Sequence, residues 1–220
     1  MVAEYGILNY IKEKNSIIRM NILSIDIGLK NLAMVQFFWN GKPRSFPHLM
    51  SFHRVDLTLL PHKKVPFSEC TIPHTREMAD MVAHFIQEYH GLFEWADKVL
   101  IERQPPGGLV EIHSLLLFKY RSKSQLVSPN SVHAHFTMNQ LDYEERKVRS
   151  LLIARHRHPG VIPETDERWH DVSDAILFAH WWCSRQKGLY DPLVADAFEE
   201  FRLERSPTSS NFQSLVNTED

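Results

Sequence analysis

An aspartate inside an apolar segment constrains the fold of this chain more than any other feature of its sequence. Asp26 follows Leu23-Ser24-Ile25 and precedes Ile27. Residues 20–28 have the apolar content of a largely buried strand. A carboxylate in such a strand is costly unless it is paired, hydrogen-bonded or bound to a metal ion. Asp26 is therefore either a structural hydrogen-bond acceptor or a functional group.

Three further acidic residues lie beside apolar segments. Glu102 ends the apolar stretch at residues 98–101, which we predict to be a strand. Asp171 and Asp174 are three positions apart, so a helix would place both carboxylates on one face, which His170 could share. Each has a structural alternative: Glu102 could be a solvated strand end, and the two aspartates could be an N-cap and N3 pair. The set of four, in this order, favours a functional site.

The hydrophobic periodicity predicts an α/β fold. Strands are expected at residues 20–28, 31–39, 49–57, 98–101 and 124–128, and helices at 75–95, 109–120, 142–155 and 171–186. Thr75 is the expected N-cap of the first helix, and the small Gly28 is expected to leave open space beside Asp26. The order β-β-β-α-β-α-β-α-α describes a mixed sheet, antiparallel in its first half, with helices on both faces.

The length and composition of the chain limit the class of protein that it can be. A chain of 220 residues with 43% hydrophobic residues and a formal charge of −2 suits one globular domain. We place that domain at residues 20–190, after an N-terminal extension at 1–19 and before a disordered tail at 204–220. Two isolated cysteines, no apolar run of about 20 residues and no signal peptide predict a soluble intracellular protein of cytoplasm or nucleus, without a disulfide framework or a thiolate zinc site.

Carboxylates converging from separate elements suit phosphodiester hydrolysis. Two hard cations about 4 Å apart can hold the attacking and leaving oxygens of an in-line displacement. Magnesium prefers oxygen ligands and keeps positions for water and phosphate. Asp26, on the first strand, would touch both ions.

At these residues the sequence resembles the RuvC-like Holliday junction resolvases, especially the branch of poxviruses and other large DNA viruses, to which the yeast mitochondrial resolvases are related. Any one of the matching segments would be weak alone, whereas the first, second and last are fairly specific in combination. The segments are SIDIGLKNLA (24–33), LIERQ (100–104), LVSPNSVHAHF (126–136), DYEERK (142–147) and HDVSDA (170–175).

The resemblance implies an RNase H-like mixed five-stranded sheet, a homodimer, and an endonuclease that makes paired nicks in four-way DNA junctions, at a viral replication site if the protein is viral. It implies a dependence on Mg²⁺, for which Mn²⁺ can substitute, with two ions per active site. Carried over by position, the four metal ligands are Asp26, Glu102, Asp171 and Asp174. Lys147 matches a basic residue expected near the scissile phosphate. The sequence departs from many relatives at His170 and in the loop at 105–108.

Basic clusters offer a DNA-binding face, with a solvated helix surface as the alternative. They comprise Lys119, Arg121 and Lys123; Arg146, Lys147 and Arg149; and residues 155–158. Paired histidines at 133/135 and 156/158 suggest zinc, but no acidic or thiol partner at ligand spacing accompanies them. Trp181 and Trp182 are candidates for a dimer interface, with core packing as the alternative for one of them.

Three other functions share parts of this pattern. An actin-like or sugar-kinase ATPase also has Asp-x-Gly on its first strand, but it needs a duplicated domain and a second such loop. A catalytically inactive nucleic-acid-binding module on the same fold would not need all four acids. An RNase H-fold nuclease acting on flaps or RNA–DNA hybrids fits the same residues.

Overall fold

The protein, as a computed structural model, forms one five-stranded mixed sheet with helices on both faces. The structure describes residues 19–41, 45–62, 70–163 and 169–186; the expected tail at 204–220 and nearly all of the extension at 1–19 lie outside these ranges. The strands are β1 Met20–Asp26, β2 Leu32–Trp39, β3 His48–Val55, β4 Lys98–Glu102 and β5 Ser124–Val127. The helices are α1 Met78–Glu88, α2 His90–Trp95, α3 Val110–Lys119, α4 Pro129–His135, α5 Tyr143–Arg157 and α6 His170–Ser184.

The strand order is β3-β2-β1-β4-β5. β1 pairs antiparallel with β2, and β2 with β3, whereas β4 runs parallel to both β1 and β5. This arrangement confirms the predicted mixed sheet with an antiparallel first half. Parallel pairing of β1 with β4 brings the carboxyl ends of the two strands to one edge, where Asp26 and Glu102 end them.

Successive side chains along each strand point to opposite faces of the sheet, so the core forms two clusters, one on each face. On one face, Ile22 of β1 and Leu100 of β4 pack with helices α4, α5 and α6. On the other, Leu23, Ile25 and Ile101 pack with α1, α2 and α3. Burial on both faces explains why β1 and β4 are nearly continuous apolar runs rather than alternating ones.

The turn between β1 and β2 corrects the expectation for Gly28. A Cβ at this position would lie 2.9 Å from the carbonyl carbon of Asn31 and 3.1 Å from the amide nitrogen of Leu32. The space beside Gly28 is therefore filled by the backbone of the turn and does not open beside Asp26. Glycine is needed here because the chain reverses tightly.

Two helical segments differ from the sequence prediction. The helix expected at 75–95 is divided at Tyr89 into α1 and α2, and α1 has Glu77, not Thr75, at its N-cap. The Thr75 hydroxyl instead accepts a hydrogen bond from the Glu77 amide at 3.0 Å, in the turn before the helix. The short α4 was not predicted, although Pro129 at its first position is a typical helix start. Among the described residues, no helix is long and apolar enough to cross a membrane.

Candidate active site

Asp26 and Glu102 lie side by side at the carboxyl ends of neighbouring parallel strands. Side-chain alternation points both toward the face covered by α6, because Ile22 and Leu100 on the same strands pack there. The amide of Ile27 donates to Glu102 Oε2 at 3.1 Å, and the side-chain amide of Gln104 donates to the same oxygen. Glu102 is thus held in place from both strands, and it is not a solvated strand end.

Helix α6 brings two further carboxylates toward this pair. It packs on the sheet through Val172, Ala175 and Ile176, all fully buried. Asp174, in the same turn, accepts a hydrogen bond from the Ser150 hydroxyl of α5. The alternative of an N-cap and N3 pair is wrong: Trp169 is the N-cap, and it makes no side-chain capping bond.

Asp171 lies one turn before Asp174 on the same helix face. Its Oδ1 is 3.1 Å from Nε2 of His170, while its Oδ2 is buried and has no hydrogen-bond partner among the described residues. Asp171 also interacts electrostatically with Asp26 and Glu102. A buried carboxylate oxygen without a partner is unfavourable, so it is a candidate ligand atom for a cation.

The electrostatics show that these acids are crowded together. Burial, followed by the charges of Glu102, Asp174 and Asp171, raises the pKa of Asp26 well above its ordinary value. Burial also raises the pKa of Asp174 to about 7, although the Ser150 hydrogen bond opposes the shift. The pKa of Glu102 is raised chiefly by burial. Burial and mutual repulsion therefore disfavour full ionisation of these carboxyl groups unless a cation is bound.

A pocket of about 220 Å³ opens over Asp26, Glu102 and Asp174, whereas Asp171 does not line it. Acids from the sheet and α6 form one side, and residues from α4 and α5 form the other. The lining residues are Asp26, Glu102, Pro129, His133, Tyr143, Arg146, Lys147, Ser150, Asp174 and Phe178. No three of the four carboxylate groups offer oxygens within 4.8 Å of one another, so their donor atoms are more widely spread than a single-ion cage requires.

Lys147 lies on the α5 side of the pocket. Asp142 and Glu145 form a capping box that fixes the start of α5, with the Asp142 carboxylate accepting from the Glu145 amide at 2.9 Å. The ammonium of Lys147 lies 3.9 Å from the centre of the Tyr143 ring and 3.6 Å from Glu144 Oε1. Burial lowers the pKa of Lys147, but contacts with Tyr143 and Glu144 outweigh it and raise the pKa, so the side chain stays protonated.

Three pocket residues were not assigned a catalytic role from the sequence. Ser150 orients Asp174, and Arg146 adds a second cation, its guanidinium donating to the Leu141 carbonyl at 2.6 Å. His133 of α4 has its pKa lowered by burial and by Arg146, so it is neutral near pH 7. The helix-start signal at Pro129 could have placed His133 one helical turn along, but nothing local showed that α4 faces the pocket.

Parts of the predicted basic clusters lie away from the pocket or are buried, and a DNA-binding role for them stays a prediction. Lys119, Arg121 and Lys123 lie at the amino end of β5, the end of the sheet opposite Asp26 and Glu102, and Lys123 donates to the Phe93 carbonyl at 2.7 Å. Arg149 is only 8% exposed and therefore does not form part of an open basic face.

Trp181 and Trp182 are also not the exposed interface residues that the sequence suggested. They are 8% and 7% exposed and belong to the core under α6. Trp182 donates to Gln125 Oε1 at 3.1 Å and stacks edge-on against Trp39. Both side chains pack internally because α6 is apolar on almost every face.

Comparisons with known proteins agree with this architecture. A family model described as mitochondrial resolvase Ydc2 / RNA splicing MRS1 matches residues 22–105, a span that contains Asp26 and Glu102. The structure of a Fowlpox virus resolvase with Holliday junction DNA matches at 18% identity and TM-score 0.50, covering 73% of this chain and 94% of that one. The fold is that of the RNase H-like resolvases. This confirms the fold class and the resemblance predicted from the sequence.

Other solved structures match at lower scores. The yeast mitochondrial Holliday junction resolvase Ydc2 has 17% identity and TM-score 0.44, covering 73% of this chain and 76% of that one. Thermus thermophilus RuvC has 14% identity and TM-score 0.42, covering 74% and 92%. No curated protein sequence matches the chain.

Proposed function

We propose that this protein is a divalent-metal-dependent endonuclease that resolves four-way DNA junctions by paired symmetric nicks. The observation that carries the proposal is the convergence of Asp26, Glu102 and Asp174 from three separate elements into one pocket, faced by Lys147. The resolvase fold around that pocket and the family match across β1 to β4 support the same activity. The proposal gives Asp26, Glu102, Asp171 and Asp174 the role of metal ligands.

The donor set fits hard cations. All four groups offer carboxylate oxygens, the ligands that Mg²⁺ and Mn²⁺ prefer. Burial, followed by repulsion from neighbouring carboxylates, raises the pKa values of Asp26 and Asp174, and bound cations would remove that penalty. The unpartnered oxygen of Asp171 adds a further ligand atom.

The chain's own residues would prepare the phosphate for attack. Asp26 and Glu102, fixed on rigid strand ends, would set the depth at which the cations lie, and Asp174 would close the site from α6. Bound cations would stabilise the charge that develops on the phosphate and would lower the pKa of a coordinated water. Lys147, which is protonated and lies on the α5 side of the pocket, would neutralise a non-bridging oxygen of the scissile phosphate. Arg146 would contact the DNA backbone next to that phosphate.

Resolution of a junction needs two such pockets. A four-way junction has near two-fold symmetry, and strands of like polarity must be cut in pairs. A homodimer with closed two-fold symmetry would supply two identical sites related by the same operation. We therefore expect the active species to be a dimer in which each chain cuts one strand.

The decisive experiment compares a four-way junction, a flap, an RNA–DNA hybrid and linear duplex in parallel, with Mg²⁺, with Mn²⁺ and after exhaustive chelation. We expect rapid cleavage of the junction alone, and only with metal. Full activity after chelation would exclude metal-dependent hydrolysis. A supercoiled cruciform should give linear product directly, and sedimentation at micromolar concentration should show a dimer.

The same experiment separates the alternatives. The protein could instead prefer the hybrid or the flap, remain a monomer in solution and accumulate singly nicked circles. These results would favour an RNase H-fold nuclease of another specificity over a junction resolvase. Tight junction or RNA binding without cleavage in any metal would identify a binding module; the description of the matching family also names an RNA splicing protein.

A further inference from the structure

A second group of metal-ligand side chains lies on the face of the sheet opposite the carboxylate pocket. Cys70 and His74 belong to the segment before α1, and His84 is a buried residue of α1. One donor atom from each lies within 4.8 Å of the others, and this is the one such group of three found among the described residues. α1 packs against the Leu23 and Ile25 side of the sheet, whereas the pocket opens under α6.

The hydrogen bonding of His84 leaves the correct nitrogen available for a metal. Its Nε2 lies 3.3 Å from the carbonyl oxygen of Pro73. A carbonyl can only accept, so Nε2 carries the proton and Nδ1 has the free lone pair. Nδ1 is the atom that faces Cys70 Sγ, at 3.9 Å. Metal-binding histidines almost always donate their other ring nitrogen to a carbonyl or carboxylate in this way.

The distances are close to those of a zinc site. A tetrahedral zinc ion, bonded at about 2.3 Å to sulfur and about 2.0 Å to nitrogen, separates these donors by about 3.5 Å. The observed 3.9 Å between Cys70 Sγ and His84 Nδ1 needs only a small closure. The rings of His74 and His84 are adjacent, with centroids 4.7 Å apart, and a donor atom of His74 lies within 4.8 Å of the other two.

We propose that Cys70, His74 and His84 bind Zn²⁺, with a water molecule as the fourth ligand. A thiolate with two imidazoles selects zinc over the hard cations that suit the carboxylate pocket. This proposal departs from the expectation drawn from the two isolated cysteines, neither of which has a CxxC neighbour. The sequence signal for such a site is the spacing Cys70-x3-His74, followed ten positions later by the helical His84.

The site would act on structure, not on the reaction. Cys70 and His74 are half-buried and His84 is buried, so an ion there would tie the segment at 70–74 to the core-facing side of α1. Metal-binding free energy adds to the stability of the folded state. The proposal is independent of the nuclease assignment, because the two groups of ligands lie on opposite faces of the sheet.

The test is a Zn²⁺ titration of the full chain, freed of metal and held in excess Mg²⁺ so that the carboxylate pocket does not compete. We expect about one zinc ion per chain and a rise in the thermal midpoint. Co²⁺ in place of zinc should give a thiolate-to-metal charge-transfer band, which carboxylates cannot produce. Cys70→Ser should lose that band, and both Cys70→Ser and His74→Gln should bind zinc at least about tenfold more weakly.

Two matched variants serve as controls. Cys183→Ser removes the other thiol, which is buried in α6, and His90→Gln removes an exposed histidine; both should keep the charge-transfer band and the zinc affinity. Circular dichroism of Cys70→Ser in chelator should match that of the metal-free wild type, which separates lost binding from lost folding. A wild-type protein without the charge-transfer band, or a Cys70→Ser variant that binds zinc as tightly as wild type, would show that Cys70 and His84 form only a hydrogen bond.

Discussion

Replacing Asp174 by asparagine should stabilise the metal-free protein while abolishing its cleavage activity. Asp174 is buried beside Asp26, Glu102 and Asp171, whose charges oppose the ionisation of its carboxyl group. Asparagine has the same shape and can still accept the Ser150 hydrogen bond through its amide oxygen. The substitution therefore removes a charge with little change in packing.

The expected magnitude follows from the pKa. Burial, together with the charges of Asp171 and Glu102, raises the pKa of Asp174 from 3.8 to about 7 despite the opposing Ser150 and His170 contacts. A shift of about three units corresponds to about 4 kcal/mol. The native state holds the proton more tightly, so this penalty grows as the pH rises from about 4 to about 7 and is complete above that. At pH 8 in chelator, Asp174→Asn should gain at most about 4 kcal/mol.

The assay is urea denaturation of wild type and Asp174→Asn between pH 4 and pH 8, with chelator and with Mg²⁺. The stability difference should be largest at pH 8 and small near pH 4. Mg²⁺ should stabilise the wild type more than the variant, because the variant lacks a ligand. Glu88→Gln, an exposed acid of α1, should change stability by less than about 0.5 kcal/mol at every pH.

Two results would refute this reasoning. If Asp174→Asn is destabilised at pH 8 in chelator, the carboxylate makes a structural contact worth more than its repulsion. If the variant is stabilised equally at pH 4 and pH 8, the gain comes from packing and not from charge. Either result would remove the electrostatic argument for a cation site at Asp174.

Three further predictions concern individual side chains. Asp26→Asn should abolish cleavage while junction binding and folding persist, and a near wild-type rate in a single-turnover assay would make Asp26 structural. Lys147→Ala should slow cleavage at least about 100-fold at saturating metal, whereas Lys119→Ala, at the opposite end of the sheet, should change the rate little; equal effects would remove Lys147 from the site. Burial, then the charges of Arg157 and His48, lowers the pKa of His158 to about 4. Its folded state therefore binds fewer protons than the unfolded chain, and relative to His158→Gln the wild type should lose about 2 kcal/mol as the pH falls from 7 to 5. Parallel denaturation profiles of the two proteins would contradict this.

The positions of Asp26 and Glu102 could be predicted from the sequence because strand geometry is local. Each carboxylate ends an apolar run, and side-chain alternation with parallel pairing then places both on one face at one edge. The i,i+3 spacing of Asp171 and Asp174 similarly determines that they share a helix face. Element type, approximate bounds and the relative orientation within each element follow from such short-range periodicity.

The other side of the pocket could not be derived in that way. That α4 and α5 turn His133, Arg146 and Ser150 toward the carboxylates depends on how those helices dock against α6. The same docking buries Trp181 and Trp182, which their sequence neighbourhood left open. Lys119 lies at the far end of the sheet for a different reason, because α3 ends just before the amino end of β5, which runs parallel to β4.

The five strands, most of the helices and the acids that end β1 and β4 are predictable from the sequence, because they depend on residues a few positions apart; the division of the first helix at Tyr89 and the short α4 are not. Which helix faces meet depends on tertiary packing, which brings Lys147 and Asp26 to one pocket and Cys70 close to His84. The physical reason is that docking depends on the summed burial of many apolar side chains from distant segments. The sequence pattern around a single charged or metal-binding residue therefore does not show which distant segments will pack against it.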